Sequence, residues 1–157
     1  MLFRSQKTGG GDSDEFYELV IKKITEETPW REGSKKALLF IGDCNPHPLG
    51  YKYGLVCPNN QIDWREEANK ATKIGLEIDT LSCGGSGIEF YKSLSFITNG
   101  IHIPFTTQSK TSEAIYATTS VRGSTESKAM FMSMTAEATE RGDTEMIGTY
   151  KALNKKL

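Results

Sequence analysis

The sequence predicts an α/β protein: a small three-layer, Rossmann-like parallel sheet of about three strands, followed by a helical tail at the C terminus. Stretches with helical periodicity alternate with short apolar runs along most of the chain. The clearest run, Ala-Leu-Leu-Phe-Ile at 37–41, is typical of a strand buried on both faces of a parallel sheet. Because strand–helix–strand units are right-handed, this alternation predicts a sheet covered by helices on both faces.

The composition indicates a single domain of ordinary globular character. The chain has 157 residues, of which 25% are charged and 37% are hydrophobic, and it can build one core. The net charge of -1 gives no reason to expect binding to nucleic acid or to an anionic membrane. Three cysteines without a CxxC pair favour reduced thiols and a cytoplasmic location. No apolar run approaches about 18 residues, so no transmembrane helix is expected.

Two helices are predicted on either side of the strand at 37–41. Asp12 is the expected N-cap of the first helix, which ends at Thr28-Pro29. The long loop at 45–60 follows the strand, and loops of that length are more often functional than accidental. Asp63 is then expected to cap the second helix. The residues predicted to face the core, from their helical spacing, are Phe16, Leu19, Val20 and Ile24 in the first helix and Trp64, Ala68, Ala71 and Ile74 in the second.

A second strand and a third helix come next. The strand is predicted at 76–81, and a glycine-rich turn follows it at 83–87. Ser86 is expected to cap the third helix, with Glu89 completing a capping box. The inward residues expected in this helix are Phe90, Leu94 and Ile97.

The last third of the chain is predicted to hold one edge strand and then helices. Pro104 favours an edge position for a strand at 101–105, because proline lacks a backbone donor. A helix is predicted at 112–121, and a helical tail follows with a break near 141–143. The inward residues expected there are Ala114, Ile115, Thr118, Val121, Met130, Met134, Ala138, Met146, Tyr150 and Leu153. We therefore divide the chain into an α/β part at 1–122 and a helical extension at 123–157 that packs on the same domain or on a partner subunit.

Several segments, taken in order, resemble a known family. They are Thr-Gly-Gly-Gly-Asp at 8–12, Trp-Arg-Glu-Gly at 30–33, Gly-Asp-x-x-Pro-His-Pro at 42–48, Asp63-Trp64, Gly-Leu-Glu-Ile at 75–78, Gly-Gly-Ser-Gly at 84–87, Phe90-Tyr91 and Thr-Asn-Gly at 98–100. This ordered set resembles the von Willebrand factor type A domain across 5–122. The resemblance implies a doubly wound α/β fold, of which this chain matches the last three strands, and a role in binding partner proteins.

Many members of that family hold magnesium in a metal-ion-dependent adhesion site built from three loops. The resemblance implies that Thr8 matches the threonine of one loop and that Asp43 matches the aspartate of another. The Asp-x-Ser-x-Ser motif of the remaining loop occurs nowhere in this chain, and the first three strands of the family have no counterpart. Because magnesium prefers several oxygen ligands in octahedral geometry, Thr8 and Asp43 alone are expected to hold Mg²⁺ weakly or not at all.

The resemblance also implies an uncovered edge on the strand at 37–41, since its neighbour in the family has no counterpart here. An exposed apolar edge is a template for another strand. We therefore expect a homodimer joined along this strand, or residues 1–7 folded over it. The expected function is a non-enzymatic protein-interaction module, with His47, Tyr51 and Tyr53 in the long loop as candidate partner contacts.

A different function is consistent with the same loop. Asp43 and His47 lie close together at the carboxyl end of a strand, where ligands bind in open α/β sheets. They could serve a small hydrolase-like enzyme that uses a divalent metal ion, and this interpretation predicts a pocket and a strongly perturbed pKa at Asp43. The sequence offers no second nearby carboxylate, nucleophile–base pair or phosphate-binding loop in its support.

Overall fold

The computed structural model describes residues 14–52, 61–84, 86–104 and 107–157, and these form an α/β structure as the sequence predicts. The elements in order are β1 (Asp14–Glu15), α1 (Tyr17–Glu27), β2 (Lys36–Gly42), β3 (Asn45–Pro46), α2 (Trp64–Lys73), β4 (Leu76–Ser82), α3 (Ile88–Ile97), β5 (His102–Pro104), α4 (Gln108–Ser120), α5 (Thr125–Glu140) and α6 (Thr144–Leu153). None of the described helices combines the length and the apolar character needed to span a membrane.

The main sheet contains three parallel strands in the order β2-β4-β5. In the central strand, β4, every residue except Glu77 is buried. In β2, by contrast, Ala37 is exposed and Ile41 is 44% exposed. The prediction that 37–41 is buried on both faces is therefore wrong at Ala37 and Ile41, although Phe40 and Leu39 pack into the core clusters on opposite faces. β2 lies at the edge of the described sheet and is less covered than the central strand. Pro104 ends β5 at the opposite edge of the sheet, which confirms the edge position expected from its missing donor.

Helices α1, α2 and α3 cover the first face of the sheet, with Phe40 and Ile78 of the strands packed beneath them. The inward face of α1 differs from the predicted stripe, since Phe16 and Val20 are largely exposed. The residues of α1 that pack on the core are Tyr17, Ile21 and Ile24. These also have helical spacing, and this orientation brings the ring of Tyr17 edge-on to Phe40, with centroids 5.1 Å apart.

Helices α4, α5 and α6 cover the second face of the sheet. Leu81 of β4 and Ile103 of β5 pack against them. The helix residues buried in this cluster are Ala114, Ala117, Val121, Phe131, Ala138, Met146, Tyr150 and Leu153. Met130 was predicted to face inward but is exposed, and the neighbouring Phe131 is buried instead. The helical tail therefore covers the sheet within the same chain.

Acidic side chains cap two helices, and the cap at Asp63 confirms the prediction. The side chain of Asp63 accepts a hydrogen bond from the backbone N–H of Arg65 at 2.9 Å, and Asp143 caps α6 in the same way. Ser86 does not cap α3, because Gly87 takes the N-cap position with a φ of 79°. A left-handed conformation of that kind favours glycine, so the backbone geometry overrides the capping box that the sequence suggests.

Two further helix starts carry no side-chain cap. α1 begins after Phe16 and α4 begins after Thr107, and neither residue's side chain bonds the first turn. α4 therefore starts earlier than the predicted 112–121, because no local signal marks its true beginning. Asp12, the expected cap of the first helix, lies outside the described residues.

Two tyrosine side chains pack against the end of β2. The hydroxyl oxygens of Tyr17 and Tyr91 would each lie 2.5 Å from a Cβ atom placed on Gly42. The Tyr91 hydroxyl donates a hydrogen bond to the carbonyl of Cys44 at 3.0 Å. Burial and the hydrogen bond with Tyr17 raise the pKa of Tyr91 above its usual range, so this hydroxyl stays protonated. Glycine is required at 42 because two side chains approach the backbone closely.

Gly42→Ala is expected to destabilise the fold, since the added methyl group must displace two packed hydroxyl groups. Overpacking of this kind costs about 1–3 kcal/mol. Gly148→Ala is the matched control, because nothing lies within 4 Å of a Cβ atom at this exposed position in α6. Alanine's helix propensity should stabilise that variant by about 0.5–1 kcal/mol. Urea unfolding followed by circular dichroism measures both, and an unchanged free energy of unfolding for Gly42→Ala would contradict this packing.

Candidate functional site

Asp43 lies at the carboxyl end of β2, the position that makes it a candidate site residue in the sequence. The residue is exposed and directly follows the last residue of the strand. The turn after β4 lies beside it, because the Ser86 hydroxyl donates a hydrogen bond to the Asp43 carbonyl at 2.8 Å. The backbone N–H of Cys83 also donates to the carbonyl of Gly42 at 2.7 Å. These bonds bring the loops after β2 and β4 together at one end of the sheet, as parallel strands require.

The two described cysteines at this end are poor nucleophiles. The Cys44 thiol donates to Asp43 Oδ1 at 3.3 Å, and this hydrogen bond raises the pKa of Cys44. Burial raises the pKa of Cys83, and the negative charge of Asp43 adds to that shift. Because the thiolate is the reactive form, both thiols are disfavoured for nucleophilic chemistry. Cys57 lies outside the described residues.

His47 is buried, with 5% of its surface exposed. Its Nδ1 atom lies 3.2 Å from Glu18 Oε1, and its backbone N–H donates to Glu18 Oε2 at 3.3 Å. The rings of Phe16 and Tyr51 lie next to the imidazole, with centroids 4.3 and 4.4 Å away. Burial raises the pKa of Glu18, and His47 opposes that rise. His47 and Tyr51 thus hold the start of the long loop against α1, and their role in binding a partner stays a prediction; Tyr53 lies outside the described residues.

The described residues do not fit a complete magnesium site. Asp43 supplies one carboxylate, and Thr8 lies outside the part of the chain that the structure describes. Within that part, no group of three or more His, Cys, Asp or Glu side chains could hold a metal ion. The Ser86 hydroxyl donates a hydrogen bond to the Asp43 carbonyl. One carboxylate falls short of the oxygen ligands that Mg²⁺ prefers.

The outer edge of β2 presents backbone groups without a partner strand. The Gly42 carbonyl accepts a hydrogen bond from Cys83, so the backbone groups of Gly42 point toward β4. Because these groups alternate in direction along a strand, those of Ala37, Leu39 and Ile41 point away from β4. No strand among residues 14–52, 61–84, 86–104 and 107–157 pairs with that side of β2. The edge therefore offers N–H and C=O groups to another strand.

The two ends of this edge carry opposite charge. Lys35 and Lys36 stand at the amino end of β2, and Asp43 stands at the carboxyl end. The short strand β1, with Asp14 and Glu15, pairs with β3 just beyond Asp43. Side chains two residues apart in a strand share one face. Those on the second face of the sheet are Lys35, Ala37, Leu39, Ile41 and Asp43. An apolar stripe thus lies between a basic residue and an acidic residue.

Sequence reasoning missed two charged residues that organise the structure, Glu18 and Arg122. Arg122 forms a buried ion pair with Asp79, with Nη1 2.6 Å from Oδ2 and Nη2 2.8 Å from Oδ1. An aspartate inside the apolar strand at 76–81 was the available signal, because a buried carboxylate needs a partner. Nothing in the local pattern identifies Arg122 as that partner.

No family model, curated protein or solved structure matches the chain. Its function is therefore inferred from the free edge of β2 and from the loop that follows it, and the resemblance to the von Willebrand factor type A domain stays a prediction.

Glu18→Ala is expected to destabilise the protein, because it removes the acceptor that faces two nitrogens of buried His47. Losing hydrogen bonds to a buried carboxylate costs about 1.5–3 kcal/mol. Glu32→Ala is the control, since Glu32 is exposed and its loss should change the stability by less than about 0.5 kcal/mol. Unfolding in guanidinium chloride measures both variants. If Glu18→Ala unfolds at the same denaturant concentration as wild type, the contact between Glu18 and His47 does not hold the loop that follows β2.

Proposed function

We propose that this chain is a non-enzymatic protein-interaction module that forms a homodimer through the outer edge of β2. The observation that carries this proposal is that no described strand pairs with this edge, beside which Ala37 is exposed and Ile41 is 44% exposed. Natural proteins usually cover such an edge or place charges along it. Here the charges lie at its two ends and have opposite sign, as in a surface that pairs with its own copy.

Antiparallel pairing of two copies centred on Leu39 uses all of these features. It places Leu39 opposite the same residue of the second copy, Ala37 opposite Ile41, and Lys35 opposite Asp43. Because the backbone groups at 37, 39 and 41 all point outward, each of these pairs is of the hydrogen-bonded type. The side-chain ladder then has a charge pair at each end and apolar pairs between them. The interface is two-fold symmetric and self-complementary.

The resemblance to the von Willebrand factor type A domain supports an interaction role. Three parallel strands follow one another in chain order, and Asp43 lies after the first of them, as in the part of the family that the chain resembles. We infer that the chain is an incomplete relative whose adhesion site lacks most of its ligands. In this proposal Asp43 serves the contact between copies, and a second protein partner would bind elsewhere on the same module.

The alternative, a divalent-metal hydrolase using Asp43 and His47, has no specific observation in its favour. The two side chains would have to act together, yet His47 is buried against Glu18 while Asp43 is exposed. Phosphatase or esterase turnover that is lost in Asp43→Ala would restore this alternative.

Ala37→Pro is expected to make the protein monomeric. Proline removes the outward N–H at 37 and is tolerated at sheet edges, so the fold should persist while the pairing is lost. Ala37→Ser is the matched control, because it keeps the N–H group. Sedimentation velocity over a range of protein concentrations measures association. A wild-type protein that stays monomeric throughout, with rapid amide exchange at 39 and 41, would falsify self-association.

Charge reversal tests the pairing that places Lys35 opposite Asp43. Lys35→Glu or Asp43→Lys alone sets like charges opposite each other at both ends of the dimer. Each is expected to raise the dimer Kd about tenfold, equivalent to about 1.4 kcal/mol. The double variant restores opposite charges, so its Kd should return close to the wild-type value. Glu32→Lys, a reversal at an exposed position outside the strand, is the control. Additive weakening in the double variant would mean that the two residues do not face each other.

Magnesium is expected to bind at millimolar strength or not at all, because one carboxylate cannot replace the missing oxygen ligands. Isothermal titration calorimetry with Mg²⁺ and Mn²⁺ on wild type and Asp43→Ala measures this. Micromolar binding that Asp43→Ala abolishes would contradict an incomplete site and would show that further ligands complete it.

A further inference from the structure

A cavity of about 150 Å³ lies at the amino end of β2 and β4, at the opposite end of the sheet from Asp43. Four cationic side chains line it, namely Lys35, Lys36, Arg122 and Lys156. Among the described residues of the lining, Glu77 is the one carboxylate. This concentration of positive charge stands out in a chain whose net charge is -1.

Carbonyl and carboxylate groups hold Lys36, Arg122 and Lys156 in place. Lys36 Nζ donates a hydrogen bond to the carbonyl of Ile74, just after α2, at 2.9 Å. Lys156 Nζ donates to the carbonyl of Asn99. Glu77 is shared, with its Oε2 3.0 Å from Lys156 Nζ and 3.2 Å from Arg122 Nη2. Asp79 also pairs with Arg122, so Glu77 and Asp79 together offset the charges of Arg122 and Lys156, and the excess positive charge comes from Lys35 and Lys36. The ends of α2 and α4 add only about half a negative charge each, so a positive surplus remains.

Arg122 contributes a second, independent observation. Its two Nη atoms are engaged by Asp79, by Glu77 and by the Thr118 carbonyl, so Nε is the donor that remains. Arg122 Nε is buried and has no hydrogen-bond partner within the described part of the chain. Buried donors are normally satisfied by protein, water or ligand. An unsatisfied donor on a residue that lines a basic cavity is a candidate contact for an acceptor bound there.

We propose that this cavity binds a phosphate group, either free as inorganic phosphate or carried on a small organic molecule. A phosphate group is compact, carries close to two negative charges and has several acceptor oxygens, which suits a guanidinium flanked by ammonium groups. The rim leaves room for it, because nothing lies within 4 Å of a Cβ atom placed on Gly75 and because Ala37 has a small side chain.

Calorimetric titration of the full chain with inorganic phosphate, at ionic strength held constant with chloride, tests the site. Wild type is expected to bind in a saturable way. Lys156→Gln removes one charge-assisted contact and should raise the Kd for phosphate about tenfold. Lys155→Gln is the matched control. Lys155 is exposed, is adjacent to Lys156 in the sequence and lies outside the cavity lining, so this substitution removes the same charge without changing the cavity. Lys36→Gln is a second cavity variant, and circular dichroism checks that each variant is folded.

Two outcomes would overturn the proposal. One is the absence of saturable phosphate binding to wild type; the other is equal weakening in Lys155→Gln and in the two cavity variants. O-phosphoserine is titrated in parallel to identify the source of the phosphate group. Tighter binding of O-phosphoserine supports the site and assigns it to phosphomonoesters, and tighter binding of inorganic phosphate supports it and assigns it to the free ion. Repeating the titration at protein concentrations below and above the dimer Kd separates this result from the proposed self-association.

Discussion

The buried ion pair between Asp79 and Arg122 is the contact on which the layered structure depends. Asp79 is 1% exposed in the central strand, where an unpaired carboxylate would be very unfavourable. Arg122 reaches it from the end of α4, and the backbone N–H of Ile101 donates to the same carboxylate at 2.8 Å. The Asp79 side chain thus joins the central strand, the start of β5 and the second helical layer. Removing one partner of such a pair costs about 3–5 kcal/mol, which is a large part of the stability of an ordinary domain.

The parts of the fold that could be predicted are those that local physics determines. The alternation of apolar runs with helical stripes was enough for the fold class, and Asp63 caps α2 through a bond to the first turn, as its position before the helix predicts. The face of α1 could not be predicted in the same way. Stripes through Phe16 and through Tyr17 have equivalent helical spacing, and only the contact of Tyr17 with Phe40 selects between them. That contact joins residues far apart in the sequence.

In the candidate site, too, some features follow from the local sequence and others depend on contacts between distant residues. The place of Asp43 follows from strand periodicity and from the rule that parallel strands end at one side of a sheet. The burial of His47 does not, because it requires Glu18 to approach from a different element. The cavity beside Arg122 is less predictable still, since its lining residues are spread along the sequence from Lys35 to Lys156. Pairing a carboxylate in an apolar strand with its cation needs three-dimensional information that a single sequence does not contain.

The two edges of the main sheet differ in their capacity to support growth. β5 is three residues long and ends at Pro104, so it offers few backbone donors to an incoming strand. β2 is seven residues long and is free on its outer side among the described residues. When two copies join through β2, both outer edges of the combined sheet are copies of β5. Assembly then closes at two subunits, because neither end presents a template for a third. In the proposed dimer, the short strand with its terminal proline would therefore stop further growth of the sheet, and the apolar edge of β2 would not lead to fibres.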